Sequence, residues 1–199
     1  VHQHFKLVEP FTVAQNIQMS EQNGKFLLSD SAIRQEIKEF ETRFGLAVNP
    51  DALVWQLSVG EKQRVEIVRM LYRGSRVLIL DEPTAGLDSG SKIAILTELE
   101  SLRRCSGITI ILVSHNMDEV AEFCTQIVVL NEGTAAFQGL TEDFFGNRSL
   151  VGDTGLELPE SYRLAAALKA CSERFQVDEH SSNRMLDSLK EQINSEGEA

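Results

Sequence analysis

Residues Leu57–Asp88 read LSVGEKQRVEIVRMLYRGSRVLILDEPTAGLD, and two adjoining parts of this stretch decide the fold class. Val77, Leu78, Ile79 and Leu80 form a short, continuous apolar run rich in branched side chains. Such a run predicts a strand covered on both faces and lying in a parallel sheet. Asp81 and Glu82 follow at its carboxyl end, where open α/β sheets bind ligands. Adjacent carboxylates repel one another there unless a cation or a hydrogen-bond donor offsets the charge, and magnesium is the natural cation. Pro83 ends the strand by removing a backbone donor. A lone Asp-Glu pair after a core strand would read as a solvated acidic turn.

The upstream part shifts that balance. Ser58 and Gly60 open a helix whose apolar residues Val65, Val68 and Leu71 recur at helical spacing, with Ser58 as the cap. Free amides at a helix start bind anions, and a glycine lets a phosphate approach the backbone closely. By itself a Ser-x-Gly start is an ordinary cap. Its position just ahead of the carboxylate strand favours a site for a nucleotide and its metal.

At these residues the chain resembles the ATP-binding subunits of ABC transporters, whose signature motif, magnesium-binding strand, D-loop and switch histidine occur in this order and at about this spacing. The resemblance implies an α/β fold: a P-loop NTPase-like ABC ATPase core with a largely parallel sheet, a helical subdomain and a C-terminal helical tail. Leu57–Glu61 resemble the signature, so that Ser58, Val59, Gly60 and Glu61 would contact nucleotide, and Val77–Asp81 resemble the Walker B strand. Asp81 would hold magnesium, Glu82 would be the catalytic glutamate, Asp88 the D-loop aspartate and His115 the switch histidine at the γ-phosphate. Gln3, within VHQHF, matches the Q-loop glutamine, which joins the metal and the attacking water to the transporter's membrane part. His2 and His4 lack a third ligand at recognisable spacing and read as flanks of that loop, not as a metal site.

Two positions depart from the commonest signature, which has glycine at Val59 and glutamine at Glu61. Val59 adds bulk and Glu61 adds negative charge near the phosphate, which predicts weakened nucleotide contact without inactivation. A larger departure is the missing G-x-x-x-x-G-K-[ST] loop that cradles phosphates, for which residues 1–199 contain no match. Gly90, Ser91 and Lys92 follow the D-loop instead of a strand and read as an ordinary helix entry. A chain that opens at Val1 immediately before the Q-loop therefore reads as truncated, with its Walker A segment lost and little activity by itself.

Composition is consistent with this reading. A 199-residue chain can bury roughly 70% of the surface its unfolded form exposes, enough for a proper core. The net charge of -11 argues against general nucleic-acid binding and against direct adhesion to anionic lipid. Membrane contact would therefore run through a protein partner. No apolar run approaches the roughly 20 residues of a spanning helix. Cys105, Cys124 and Cys171 are odd in number and widely spaced, which favours reduced thiols in cytosol.

Along the chain, residues 1–150 read as the ATPase domain, with the helical subdomain at about 18–72, and 151–199 as a helical tail. Phe11–Ile17 is a mixed stretch, and Asp30 caps a helix with Ile33, Ile37, Phe40 and Phe44 on one face, ended by Gly45. Ile93, Leu96, Leu99 and Leu102 mark another amphipathic helix, followed by an apolar strand over Ile108–Val113 that should lie beside the Asp81 strand. A helix over Met117–Phe123, a strand over Gln126–Leu130 and a hairpin turn at Asn131–Gly133 come next. Thr141 is expected to cap a short helix. Gly152–Pro159 reads as a linker, Tyr162–Ala170 as one tail helix, and Met185, Leu186, Leu189 and Ile193 as the apolar side of another that would help pair two subunits.

The resemblance implies ATP hydrolysis with magnesium in a head-to-tail dimer, in which Ser58 and Gly60 of one subunit close over ATP held by the phosphate loop of another. It also implies an integral membrane permease as partner and a peripheral place on the cytoplasmic face of the membrane. The section through LSVGEKQRVEIVRMLYRG resembles ATPases of nucleoside and sugar importers, whereas ILVSHNMDEVAEF and GLELPESYRLAAALKA resemble those of energy-coupling-factor importers for vitamins and metals. Two alternatives are a soluble ABC ATPase outside transport and a non-catalytic partner lending its signature to another subunit.

Overall fold

The computed structural model describes residues 6–19 and 30–171. These fall into two compact units, one running to Val113 and the other starting at Ser114.

The first unit begins with α1, Val13–Gln18. Thr12 and Gln15 close a capping box at its start, and Val13 and Ile17 are buried. The chain leading to the next long helix is tied back here, with Val13 N–H donating to Ala52 O (3.0 Å) and Val54 N–H to Phe11 O (3.0 Å). α2 spans Asp30–Phe44 and buries Ile33, Ile37 and Phe44; it already includes Asp30. Gly45, at a φ of 72°, ends it in the left-handed conformation that glycine adopts without a Cβ penalty. A 3-10 turn over Val54–Gln56 leads to α3, Val59–Tyr72. Gln63, Val65, Glu66, Ile67, Val68 and Leu71 of α3 are all buried, so this helix is packed on most sides. Phe40 of α2 meets Tyr72 of α3 with ring centroids 6.1 Å apart.

β1, Val77–Asp81, α4, Ser89–Ser106, and β2, Thr109–Val113, complete the first unit. The strands pair in parallel, from Val77 opposite Thr109 to Asp81 opposite Val113, which makes β1–α4–β2 the expected crossover unit. α4 buries Leu96, Leu99 and Leu102 as the periodicity predicts, together with Ile95, but Ile93 in its first turn is 61% exposed.

The expectation that β1 is covered on both faces is not met. Leu78 and Leu80 are buried, whereas Val77 and Ile79 are 52% and 55% exposed, with Ile111 and Val113 of β2 on the same face. A continuous apolar run reveals that a strand can be buried on both faces, not how many layers cover it. Among the described residues, one layer does.

In the second unit, α5 spans Met117–Phe123, and β3, Gln126–Asn131, pairs antiparallel with β4, Thr134–Leu140. Glu132 and Gly133 both have positive φ, 47° and 78°, which is the two-residue hairpin loop that matches strand twist. β3 pairs with β4, so the described strands form one parallel and one antiparallel pair.

α6, Thr141–Gly146, α7, Arg148–Thr154, and α8, Glu160–Cys171, follow. Thr141 is the first helical residue, not the cap: Leu140 occupies the cap position, and the Thr141 hydroxyl is buried without a partner. Rings of Phe137, Phe144, Phe145 and Tyr162 join in a chain at 5.2 to 5.5 Å, so β4, α6 and α8 share one core with Val129 and Val151. Part of the expected linker is helical, because α7 runs to Thr154 before Gly155 ends it. The expected tail helix carrying Met185 and Ile193 lies outside the described residues, as do Gln3, His2 and His4.

Candidate functional site

Ser58 caps α3 through a reciprocal box with Glu61. Glu61 N–H donates to Ser58 Oγ (3.3 Å), while Glu61 Oε2 accepts both the Ser58 N–H (2.8 Å) and the Ser58 hydroxyl (2.7 Å). The Ser58 hydroxyl, the Ser58 amide and then Arg64 hold the Glu61 carboxyl below the usual glutamate range. Val59 is exposed and Gly60 is buried. A Cβ placed on Gly60 would stand 3.7 Å from Leu87 Cδ2, so the start of α3 lies against the loop that follows β1.

That loop runs from Glu82 to Asp88 as two successive turns. Ala85 N–H donates to Glu82 O (3.1 Å) and Leu87 N–H to Thr84 O (3.2 Å). Asp88 ends it by capping α4, accepting the Ser91 N–H (3.0 Å) and the Ser91 hydroxyl (2.6 Å), and these bonds lower its carboxyl pKa. Arg64 Nε donates to both carboxylate oxygens of Glu98 (3.0 and 2.8 Å), fixing α3 to α4. The capped start of α3 and the strand ending at Asp81 thus belong to one unit, joined by the Gly60–Leu87 contact and the Arg64–Glu98 ion pair.

Asp81 is exposed at the carboxyl end of β1, opposite Val113. Glu82 follows in a left-handed conformation, φ 46°, with its N–H donated to Val113 O (2.9 Å). Such a conformation costs a non-glycine residue about 1–3 kcal/mol and gathers at functional sites, where surrounding structure holds it. Buried Pro83 and Thr84 anchor the loop immediately beyond. No group of three His, Cys, Asp or Glu residues among the described residues could close around a metal. The donor set instead suits an ion that takes one or two hard carboxylate oxygens and fills its remaining positions with phosphate and water, which is the habit of magnesium.

His115 follows Ser114 at the start of the second unit. It is exposed, in the loop ahead of α5, where Ser114 Oγ accepts the Asn116 N–H (3.1 Å) and Asn116 caps α5 through the Asp118 and Glu119 amides (3.1 and 3.3 Å).

Sequence reasoning missed one buried pair. Glu66 Oε1 accepts the Lys6 N–H (2.8 Å), Glu66 Oε2 pairs with Arg69 (2.8 Å), and Arg69 donates to Lys6 O (2.8 Å). Both side chains are nearly enclosed, at 4% and 12% exposure, and they clamp the backbone just after the segment containing Gln3. The signal was present: Glu66 interrupts an otherwise apolar run from Val65 to Val68 inside a helix.

Several known proteins resemble this chain. The ABC transporter family matches residues 1–85. A nucleoside import ATP-binding protein of Lactococcus lactis is 41% identical over 134 residues, covering 67% of this chain and 26% of that protein. An energy-coupling factor transporter ATP-binding protein of Bacillus cereus is 33% identical over 171 residues, covering 84% of this chain and 57% of that one. This chain belongs to the ABC transporter family. Among solved structures, cbiO1 of Clostridium perfringens, described as part of the ABC transporter complex cbiONQ, superposes with a TM-score of 0.62 at 31% identity. The match covers 82% of this chain and 63% of that one. The chain thus spans between about a quarter and three fifths of the length of these relatives. No described helix is long and apolar enough to cross a membrane.

Proposed function

We propose that this chain is part of an ATP-binding and ATP-hydrolysing subunit that powers solute import through an ABC transporter. The observation that carries the reading is the junction within the first unit: a signature helix start lies against the loop leaving a strand that ends in Asp81 and Glu82. Magnesium would be held by Asp81, with Gln3 as a second contact, and would screen the phosphate charge. Glu82 takes up the proton of the attacking water, because it is the carboxylate adjacent to the metal ligand and its backbone is fixed by Val113. His115 steadies the γ-phosphate, and Asp88 fixes the start of α4 beside the nucleotide contact. Ser58, with the amides of Val59 and Gly60, caps the phosphate of an ATP held by a second subunit, so the working form is a head-to-tail dimer.

The proposed partner is an integral membrane permease, which places the subunit on the cytoplasmic face of the membrane. Nucleosides, sugars, vitamins and metals are the substrate classes served by relatives of this kind. Retention of both Asp81 and Glu82 favours hydrolysis over a purely supporting role. Glu82→Gln, in a chain carrying residues 1–199 behind a phosphate loop, should lower ATP turnover about 10²- to 10⁴-fold while ATP still binds. Unchanged turnover in that variant refutes the assignment.

A further inference from the structure

We propose that Glu61 is a built-in competitor for the phosphate that Ser58 serves, so that the signature is self-capped until nucleotide displaces it. The inference rests on the ATP-binding reading and concerns regulation of that same site.

A serine hydroxyl carries one proton to donate. Here that proton goes to Glu61 Oε2 at 2.7 Å, and the Ser58 amide goes to the same oxygen at 2.8 Å. Two of the donors that a phosphate would use at this helix start are therefore already directed at an internal carboxylate. The amides of Val59 and Gly60 alone keep no protein partner among the described residues. An arriving phosphate meets both a blocked hydroxyl and a like charge within one helical turn.

The box can open, because Glu61 is exposed. Among the described residues, Arg64 and Lys62, which follow Glu61 in α3, are already engaged: Arg64 is bonded to both oxygens of Glu98, and Lys62 is paired with Glu9 at 3.1 Å. Displacement therefore draws on the binding free energy of the nucleotide, and the signature closes only at an ATP concentration high enough to supply it. The device sets the nucleotide concentration at which the two half-sites close, without taking part in the chemistry.

Glu61→Gln keeps the side-chain shape and removes the charge. In a subunit carrying a phosphate loop ahead of Val1, it should lower the half-saturating ATP concentration about fivefold, the worth of one like charge near 4 Å in water. Glu61→Ala should act in the same direction, whereas simple loosening of the helix start would raise half-saturation in both. A half-saturating concentration that stays the same or rises, with hydrolysis intact, overturns the proposal and leaves the functional reading standing. Absence of hydrolysis in the parent subunit removes that reading and the proposal with it. The box has its own readout in the 199-residue chain: carboxyl NMR should show the Glu61 titration moving to higher pH in Ser58→Ala, and no movement overturns the self-capping.

Discussion

Glu66→Ala tests whether the buried pair inside α3 anchors the first unit. The carboxylate holds Arg69 at 2.8 Å and the Lys6 amide at 2.8 Å, and its side chain is 4% exposed. Its removal leaves a guanidinium that is 12% exposed and that, among the described residues, keeps one bond, to Lys6 O, since Arg69 Nε has no partner there. Breaking a buried pair from one side typically costs about 3–5 kcal/mol, because the remaining charge is stranded. Some solvent reaches Arg69, so the lower end, about 3 kcal/mol, is expected. Urea unfolding should report this as a fall in midpoint of roughly 1–3 M with little change in slope. Glu66→Gln keeps the shape and an acceptor for Lys6, and should cost about 1–2 kcal/mol. A loss below about 1 kcal/mol in Glu66→Ala would show that the pair is not desolvated in solution and would refute the reasoning.

Three further outcomes are expected. Leu80→Ala, at a fully buried position of β1, should destabilise the chain by about 2–5 kcal/mol in the same unfolding assay. Gly133→Ala, at a φ of 78°, should cost about 1–2 kcal/mol through left-handed strain and not through contact, since nothing stands within 4 Å of a Cβ there. The Glu61 carboxyl titrates below its unfolded value, so its contribution to stability is present at neutral pH and is lost as pH falls through the folded value. Acid unfolding of Ser58→Ala should accordingly show a shallower loss below about pH 4.5 than the parent chain.

Much of the site was legible because local rules and tertiary packing agree there. The capped start of α3, the β1 carboxylates, the α4 entry at Asp88 and the hairpin turn at Glu132–Gly133 each carry a residue-level signal that the fold obeys. α1 was missed although Thr12 and Gln15 have capping-box spacing, because six residues are too few for a periodic apolar pattern. Its stability comes from burial of Val13 and Ile17 and from backbone bonds to residues near 50, which no local window shows. α7 was hidden for the same reason, since only Val151 is buried in the core, with Leu150 packed partly against it. The bare face of β1 and β2 was misjudged because apolar strands look alike whether one layer or two cover them. Glu66 was overlooked because a glutamate on a helix is usually a solvated residue, and its pairing with Arg69 is a matter of packing.

The central claim is that this chain carries two half-sites, the signature at Ser58 serving one ATP and the carboxylates at Asp81 and Glu82 serving another. The most direct test mixes two inactive subunits, each with a phosphate loop, one carrying Ser58→Arg and the other Glu82→Gln. In a head-to-tail dimer both defects can fall in one site and leave the other intact, so ATP turnover should recover to at most about a quarter of the parent value after random re-pairing. No recovery, with mixed dimers demonstrated, would contradict the account.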